Sequence, residues 1–157
     1  MTEPGTIVSR ADLNDTRDLT DYLAMLDAYA SDPMGAGRRI DAGVLQQLAD
    51  QLPSLAGFHA LLARRDGEAV GFATCLLAYS TFRARHLLNI HDIAVVSKWR
   101  GQGVAYAMLI EIERLAMSLD CCAVTLEVRE DNVRAQALYR RFGFTRASCG
   151  LNMEKVI

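Results

Sequence analysis

The turn Arg100-Gly101-Gln102-Gly103-Val104-Ala105 joins an apolar run over residues 87–96 to a long amphipathic repeat, and this junction restricts the fold more than any other feature. The run reads as a strand. After it, Val104, Met108, Leu109, Ile112, Leu115, Ala116 and Leu119 recur at the spacing that lays one apolar stripe along a helix, with Glu111, Glu113 and Arg114 elsewhere. A second apolar strand is expected over 123–128, with Thr125 and Glu127 alternating outward. Strand, crossover helix and strand within one sheet force a parallel pair. The glycines themselves admit two readings. They either serve close strand–helix packing, or they let the backbone approach a ligand whose phosphates meet the unpaired N–H groups of the first helical turn. Arg100 would then add a permanent cation. A full G-x-G-x-x-G is absent, and so is the Lys-Ser/Thr ending of a P-loop, which argues against dinucleotide-binding and nucleotide-triphosphatase folds.

Upstream, the chain switches between periods. Residues 6–10 read as an opening strand, and Asn14 or Asp15 offers a cap for a helix carrying Leu19, Tyr22, Leu23 and Leu26. A loop with Gly35 and Gly37 leads to a second helix from about Asp41, with Val44, Leu45, Leu48 and Leu52 on one face and Pro53 at its end. Strands over 58–64 and 69–80 flank Asp66-Gly67, the dipeptide of a tight hairpin. With a further turn at 83–85 and the strand over 87–96 they form an antiparallel meander. Residues 131–142 read as a capped helix stopped by Gly143, with Ala135, Leu138 and Phe142 inward, and a last strand is expected over 151–156. With no repeat, linker or low-complexity tract, one domain over 1–157 is expected: an α/β fold around a mixed sheet.

A formal charge of −2 and scattered basic residues, fifteen of the seventeen being Arg, give no electrostatic reason for a nucleic-acid or anionic-membrane partner. No apolar run approaches a bilayer span, and the N-terminal residues lack the pattern of a signal peptide. Cys75, Cys121, Cys122 and Cys149 have no zinc-ribbon or redox spacing, and His59, His86 and His91 no ligand spacing. Reduced cysteines, no metal and a cytoplasmic location are therefore expected.

The stretch 93–105 resembles the acetyl-CoA-binding motif of the GCN5-related N-acetyltransferase (GNAT) superfamily, R/Q-x-x-G-x-G/A after a strand, with Arg100, Gly103 and Ala105 at its fixed positions. Residues 131–144 resemble the family's second block, N-x-x-A-x-x-x-Y-x-x-x-G-F. Ser97 departs from the pattern, many members having Pro there. The resemblance implies the GNAT fold, a mostly antiparallel sheet with a central, splayed parallel pair and flanking helices. It also implies acetyl-CoA as co-substrate and an amine as acceptor.

It further implies roles. Backbone groups of Ile93 and Val95 would pair with the pantetheine arm and the thioester oxygen, an N–H near Val95 acting as oxyanion donor. Arg100, Gly101, Gln102, Gly103, Val104 and Ala105 would hold the pyrophosphate. Asn132 would contact pantetheine, or be simply a helix cap. Tyr139 would give a proton to the departing thiolate, or be a core residue. For a general base the candidates are Asp92 and Glu127, ahead of His91, with Asp92 and Glu127 each also readable as a structural hydrogen bond or a surface charge; catalysis by proximity needs none of them. The acceptor side falls to the first two helices, residues 32–38 and residues 79–85. A faint likeness to diamine acetyltransferases suggests a small primary amine, for which Asp27, Asp32 and Asp41 are candidate partners, each as easily read as a helix cap or a solvated residue. An acyl-CoA-binding regulatory module without turnover, a protein or peptide N-acetyltransferase and a plain interaction domain are the alternatives. A homodimer is expected from the resemblance alone.

Overall fold

The computed structural model describes residues 5–146 and 155–156, and its contacts divide the chain into two compact units, 1–127 and 128–157. In the first, the strands β1 (Ile7–Arg10), β2 (Phe58–Arg65), β3 (Glu68–Ser80), β4 (Arg85–Val95) and β5 (Val124–Leu126) lie side by side in chain order. The first three junctions are antiparallel and β4–β5 is parallel. This is the mixed α/β sheet that the sequence led us to expect. Among the described residues the parallel pair ends the strand order rather than lying centrally. All but the last two residues of the strand expected over 151–156 fall outside the described residues.

The β2–β3 hairpin turns through Asp66 and Gly67 at φ 50° and 81°. Two successive positive φ angles give the turn whose twist matches that of the flanking strands. Helix α1 (Thr16–Ser31) is capped by Asp15, whose side chain accepts from Asp18 N–H, and α2 (Ala42–Gln51) by Asp41, which accepts from Gly43 N–H. Leu13, Tyr22, Leu52, Ala60, Leu62 and Phe72 form the core on this side of the sheet. Tyr22 meets Phe58 and Phe72 edge to face at 5.9 and 5.7 Å, contacts worth about 0.5–1.5 kcal/mol each beyond their burial. Val44, expected on the inner face of α2, is exposed, whereas Leu48 packs against this core.

Helix α3 (Val104–Ser118) buries Val104, Met108, Leu109, Ile112, Leu115 and Ala116, the expected stripe. A second core joins Val104 and Met108 to Ala63, Val70 and Val95 of the sheet. Gly71 permits the approach, since a Cβ there would stand 3.0 Å from Ala94 O and 3.2 Å from Met108 Cε. In the second unit, α4 (Val133–Phe142) is capped by Asn132, whose Oδ1 accepts from Ala135 N–H, and ends at Gly143 in the left-handed conformation at φ 114°. Ala135, Leu138 and Phe142, expected inward, are each half-buried.

Candidate active site

Two local irregularities shape β4. The ladder to β3 pairs Thr74 with Asp92 and Cys75 with Ile90, which leaves His91 as an extra residue in a β-bulge. The parallel ladder to β5 covers only Leu88↔Val124, Asn89↔Thr125 and Ile90↔Leu126, so it stops where the bulge begins. This is why β5 is shorter than the expected 123–128. A bulge bends its strand and ends regular pairing, and both effects part β4 from β5 here.

The orientation of the backbone beyond the bulge follows from alternation. Val96 N–H donates to Val70 O. In an antiparallel ladder, Ala94 and Asp92 then also face β3, while Ile93 and Val95 turn their backbone groups to the opposite edge. Those two residues are the ones expected to meet the pantetheine arm. One of these groups is already engaged, because Val95 O accepts from Arg100 Nε at 2.8 Å. Val95 N–H and both backbone groups of Ile93 have no such partner among the described residues.

β4 continues through a short 3-10 turn, Ser97–Trp99, to the glycines. Gly101 and Gly103 take φ 79° and 81°, values open to glycine and strained for other residues. Helix α3 begins at Val104, and its first bond of the ladder runs from Ala107 N–H to Gly103 O. The N–H groups of Gly101, Gln102, Gly103, Val104 and Ala105 therefore have no acceptor among the described residues. A Cβ built on Gly103 meets nothing within 4 Å, so there is open space beside this residue of the turn. Together with the positive end of the helix dipole those N–H groups suit a phosphate or pyrophosphate.

Arg100 is oriented differently from the expectation of a cation at that phosphate. Besides Val95 O, its guanidinium binds the Asp32 carboxylate at 2.8 Å. Arg100 holds Asp32 below its ordinary carboxylate pKa, helped by the Met34 N–H. The segment after α1 is tied again at Asp27, which accepts from Arg39 Nε at 3.0 Å and Ile40 N–H at 2.9 Å. The three aspartates considered for a cationic acceptor thus all have structural duties, Asp41 as a cap among them.

Asp92 is half-buried, and no hydrogen bond or ion pair links its carboxylate to a described residue. Its cross-strand neighbour Thr74 meets the Tyr22 hydroxyl at 2.7 Å in a buried pair. Burial raises the Tyr22 phenol well above its ordinary pKa, the Asp92 charge adding to the shift. Burial also pushes the Cys75 thiol up to about 12, which keeps it protonated and unsuited to nucleophilic work. His91 and Glu127 are exposed, Glu127 directly after β5. In the second unit, Asn132 is a helix cap and Tyr139 a half-buried residue of α4 with its ring 5.8 Å from that of Phe144.

Arg65 and Thr74 were not singled out from the sequence, and Tyr22 was read there only as part of a helical repeat. Nothing in their spacing marks a role at this site, since their neighbours come from other strands and helices. Among the described residues no group of His, Cys, Asp or Glu is placed to hold a metal, and no helix is long and apolar enough to cross a membrane.

The chain is 31% identical over 74 residues to a thialysine N-epsilon-acetyltransferase of Bos taurus, covering 47% of this chain and 43% of that protein. It is 35% identical over 88 residues to the N-alpha-acetyltransferase MAK3 of Arabidopsis thaliana, covering 55% and 44%. The chain thus spans less than half the length of these two relatives. Its fold matches the crystal structure of an aminoglycoside acetyltransferase from an uncultured soil metagenomic sample in complex with sisomicin, with a TM-score of 0.80, 16% identity and coverage of 97% and 96% of the two chains. A family model, the acetyltransferase (GNAT) family, matches residues 22–144. That match takes in the unpaired edge of β4, the glycine turn and α4 alike, and the chain belongs to the acetyltransferase (GNAT) family.

Proposed function

We propose that the chain is an acetyl-CoA-dependent N-acetyltransferase acting on a small primary amine by direct attack in a ternary complex. The observation that carries this reading is the run of N–H groups over 101–105 without acceptors, at the end of a strand whose outer edge is unpaired from the bulge onward. Acetyl-CoA supplies an activated acetyl group, and the residues of this chain supply its setting. The turn holds the pyrophosphate, Ile93 receives the pantetheine amides, and Val95 N–H faces the thioester oxygen as it gains negative charge. Asp92 takes the proton of the incoming ammonium, directly or through water. Tyr139 protonates the departing thiolate, and Asn132 assists the pantetheine arm; both assignments rest on the second family block. The family match runs across both units, which supports treating 1–157 as one acetyltransferase domain.

Two features favour a small acceptor. One relative is named for the side-chain amine of thialysine. The segment after α1 is also tied down by Asp27 and Asp32, which suits a fixed wall better than an open peptide groove. Mass analysis of the products formed from acetyl-CoA and pooled polyamines, amino acids, aminoglycosides and peptides tests the acceptor. Acetylation in a small-amine pool is expected, and acetylation confined to peptide N-termini or peptide lysines overturns it.

A further inference from the structure

The glycine turn is gripped from outside by one side chain that the proposed chemistry does not use. Arg65, at the end of β2, reaches across 37 residues of sequence to donate from Nη1 to Gln102 Oε1 at 3.1 Å and from Nη2 to Gln102 O at 3.2 Å. Its Nε donates to Thr6 Oγ1 at 2.9 Å, just before β1. The guanidinium carbon also stands 4.7 Å from the centre of the Trp99 ring, with Lys98 Nζ at 5.5 Å from the same ring. Trp99 Nε1 is buried without an acceptor among the described residues, so its ring is held by these contacts and by packing rather than by its own hydrogen bond.

This grip has a geometric consequence. No peptide bond among the described residues is cis, so in the peptide joining Gln102 to Gly103 the C=O and N–H point opposite ways. Holding Gln102 O toward Arg65 aims Gly103 N–H to the other side. That is the arrangement a phosphate site needs, yet the turn contains two glycines, the residue type with the widest choice of backbone conformations. A donor array held in place before the ligand arrives avoids the ordering cost of binding.

We infer that Arg65 is a positioning residue for the pyrophosphate site: clamped between Thr6, Gln102 and Trp99, it holds the turn over 100–103 in its ligand-receiving conformation. The inference rests on the reading of that turn as the coenzyme A site. Arg65 acts through geometry rather than charge, because its three nitrogens are directed at Thr6 and Gln102. Lysine at this position keeps the charge but has a single nitrogen and cannot span those acceptors.

Calorimetric titration with coenzyme A, comparing wild type, Arg65→Lys and Arg65→Ala, tests this. Both variants are expected to bind about tenfold more weakly, while turnover with acetylpantetheine, which has no pyrophosphate, stays at the wild-type rate. Emission from Trp99, the sole tryptophan, is expected to shift in both variants without ligand. Arg65→Lys is the decisive variant if Arg65→Ala folds poorly. Wild-type affinity in Arg65→Lys overturns the inference in favour of simple charge attraction, as does an equal loss with acetylpantetheine, and so does unchanged Trp99 emission. A wild-type protein that does not bind coenzyme A overturns the functional reading itself, a failure visible before any variant is compared.

Discussion

Gly103 separates the stability of the turn from its role in binding. It caps α3 in the left-handed region at φ 81° and ψ −1°, and a Cβ built there touches nothing within 4 Å. Gly103→Ala therefore introduces no clash, and its folding penalty is the backbone term alone, about 1–2 kcal/mol. For a chain of 157 residues, that lowers the melting temperature by roughly 3–6 °C. Binding should suffer more, because the added methyl stands on the open side of the turn, where the phosphate must approach the N–H groups. A loss of about 100-fold in coenzyme A affinity is expected, equivalent to about 2.7 kcal/mol. Gly103→Asn is the control. Asparagine tolerates the left-handed conformation and recovers much of the stability, but its side chain still occupies the approach. Thermal unfolding and calorimetric titration of both variants give the two numbers. Coenzyme A affinity within about threefold of wild type in Gly103→Ala, alongside the expected thermal loss, would refute the placement of the pyrophosphate.

The remaining predictions concern the surroundings of the site. Tyr22→Phe leaves the buried Thr74 hydroxyl without its partner and should cost about 1–2 kcal/mol in urea unfolding; adding Thr74→Val should recover part of that, and strict additivity would contradict a mutual hydrogen bond. The Arg39 guanidinium and then the Ile40 N–H hold the Asp27 carboxyl below its ordinary range. Its contribution is thus present above the unfolded carboxylate pKa, about 4, and lost as pH falls through the lower native value. The gap in urea midpoint between wild type and Asp27→Asn should close below about pH 4, and a gap constant down to pH 2 would exclude this linkage. Asp92→Asn should lower the turnover rate by about 100-fold with little change in acetyl-CoA affinity; an unchanged rate would leave proximity as the mechanism. Gly71→Val drives a side chain against Ala94 O and Met108, and should destabilise by about 1–3 kcal/mol in thermal unfolding.

Much of this architecture was legible in the sequence, because periodicity and turn chemistry act locally. The α3 stripe, the Asp66-Gly67 hairpin and the Asn132 and Gly143 caps were all readable from residues a few positions apart. The glycine turn was legible for the same reason: its open donors follow from a strand ending where a helix begins. What stayed hidden depends on residues far apart in the chain. The bulge at His91 arises from the register between β3 and β4, and the early end of β5 follows from it. Arg100 read as a cation free to meet phosphate until folding brought Asp32 to it across 68 residues. Asp27 and Asp32 read equally as partners of an amine or as cap and solvated residues for the same reason, and Arg65 read as the first residue of a hairpin turn.

The most direct test of the whole account is thiol release from acetyl-CoA in the presence of pooled small amines, comparing wild type with Tyr139→Phe. Release that depends on an amine and falls sharply in the variant is the predicted result. Tight binding of acetyl-CoA with no thiol release from any amine or peptide pool would contradict it, and would make the glycine turn the site of a binding module rather than of an enzyme.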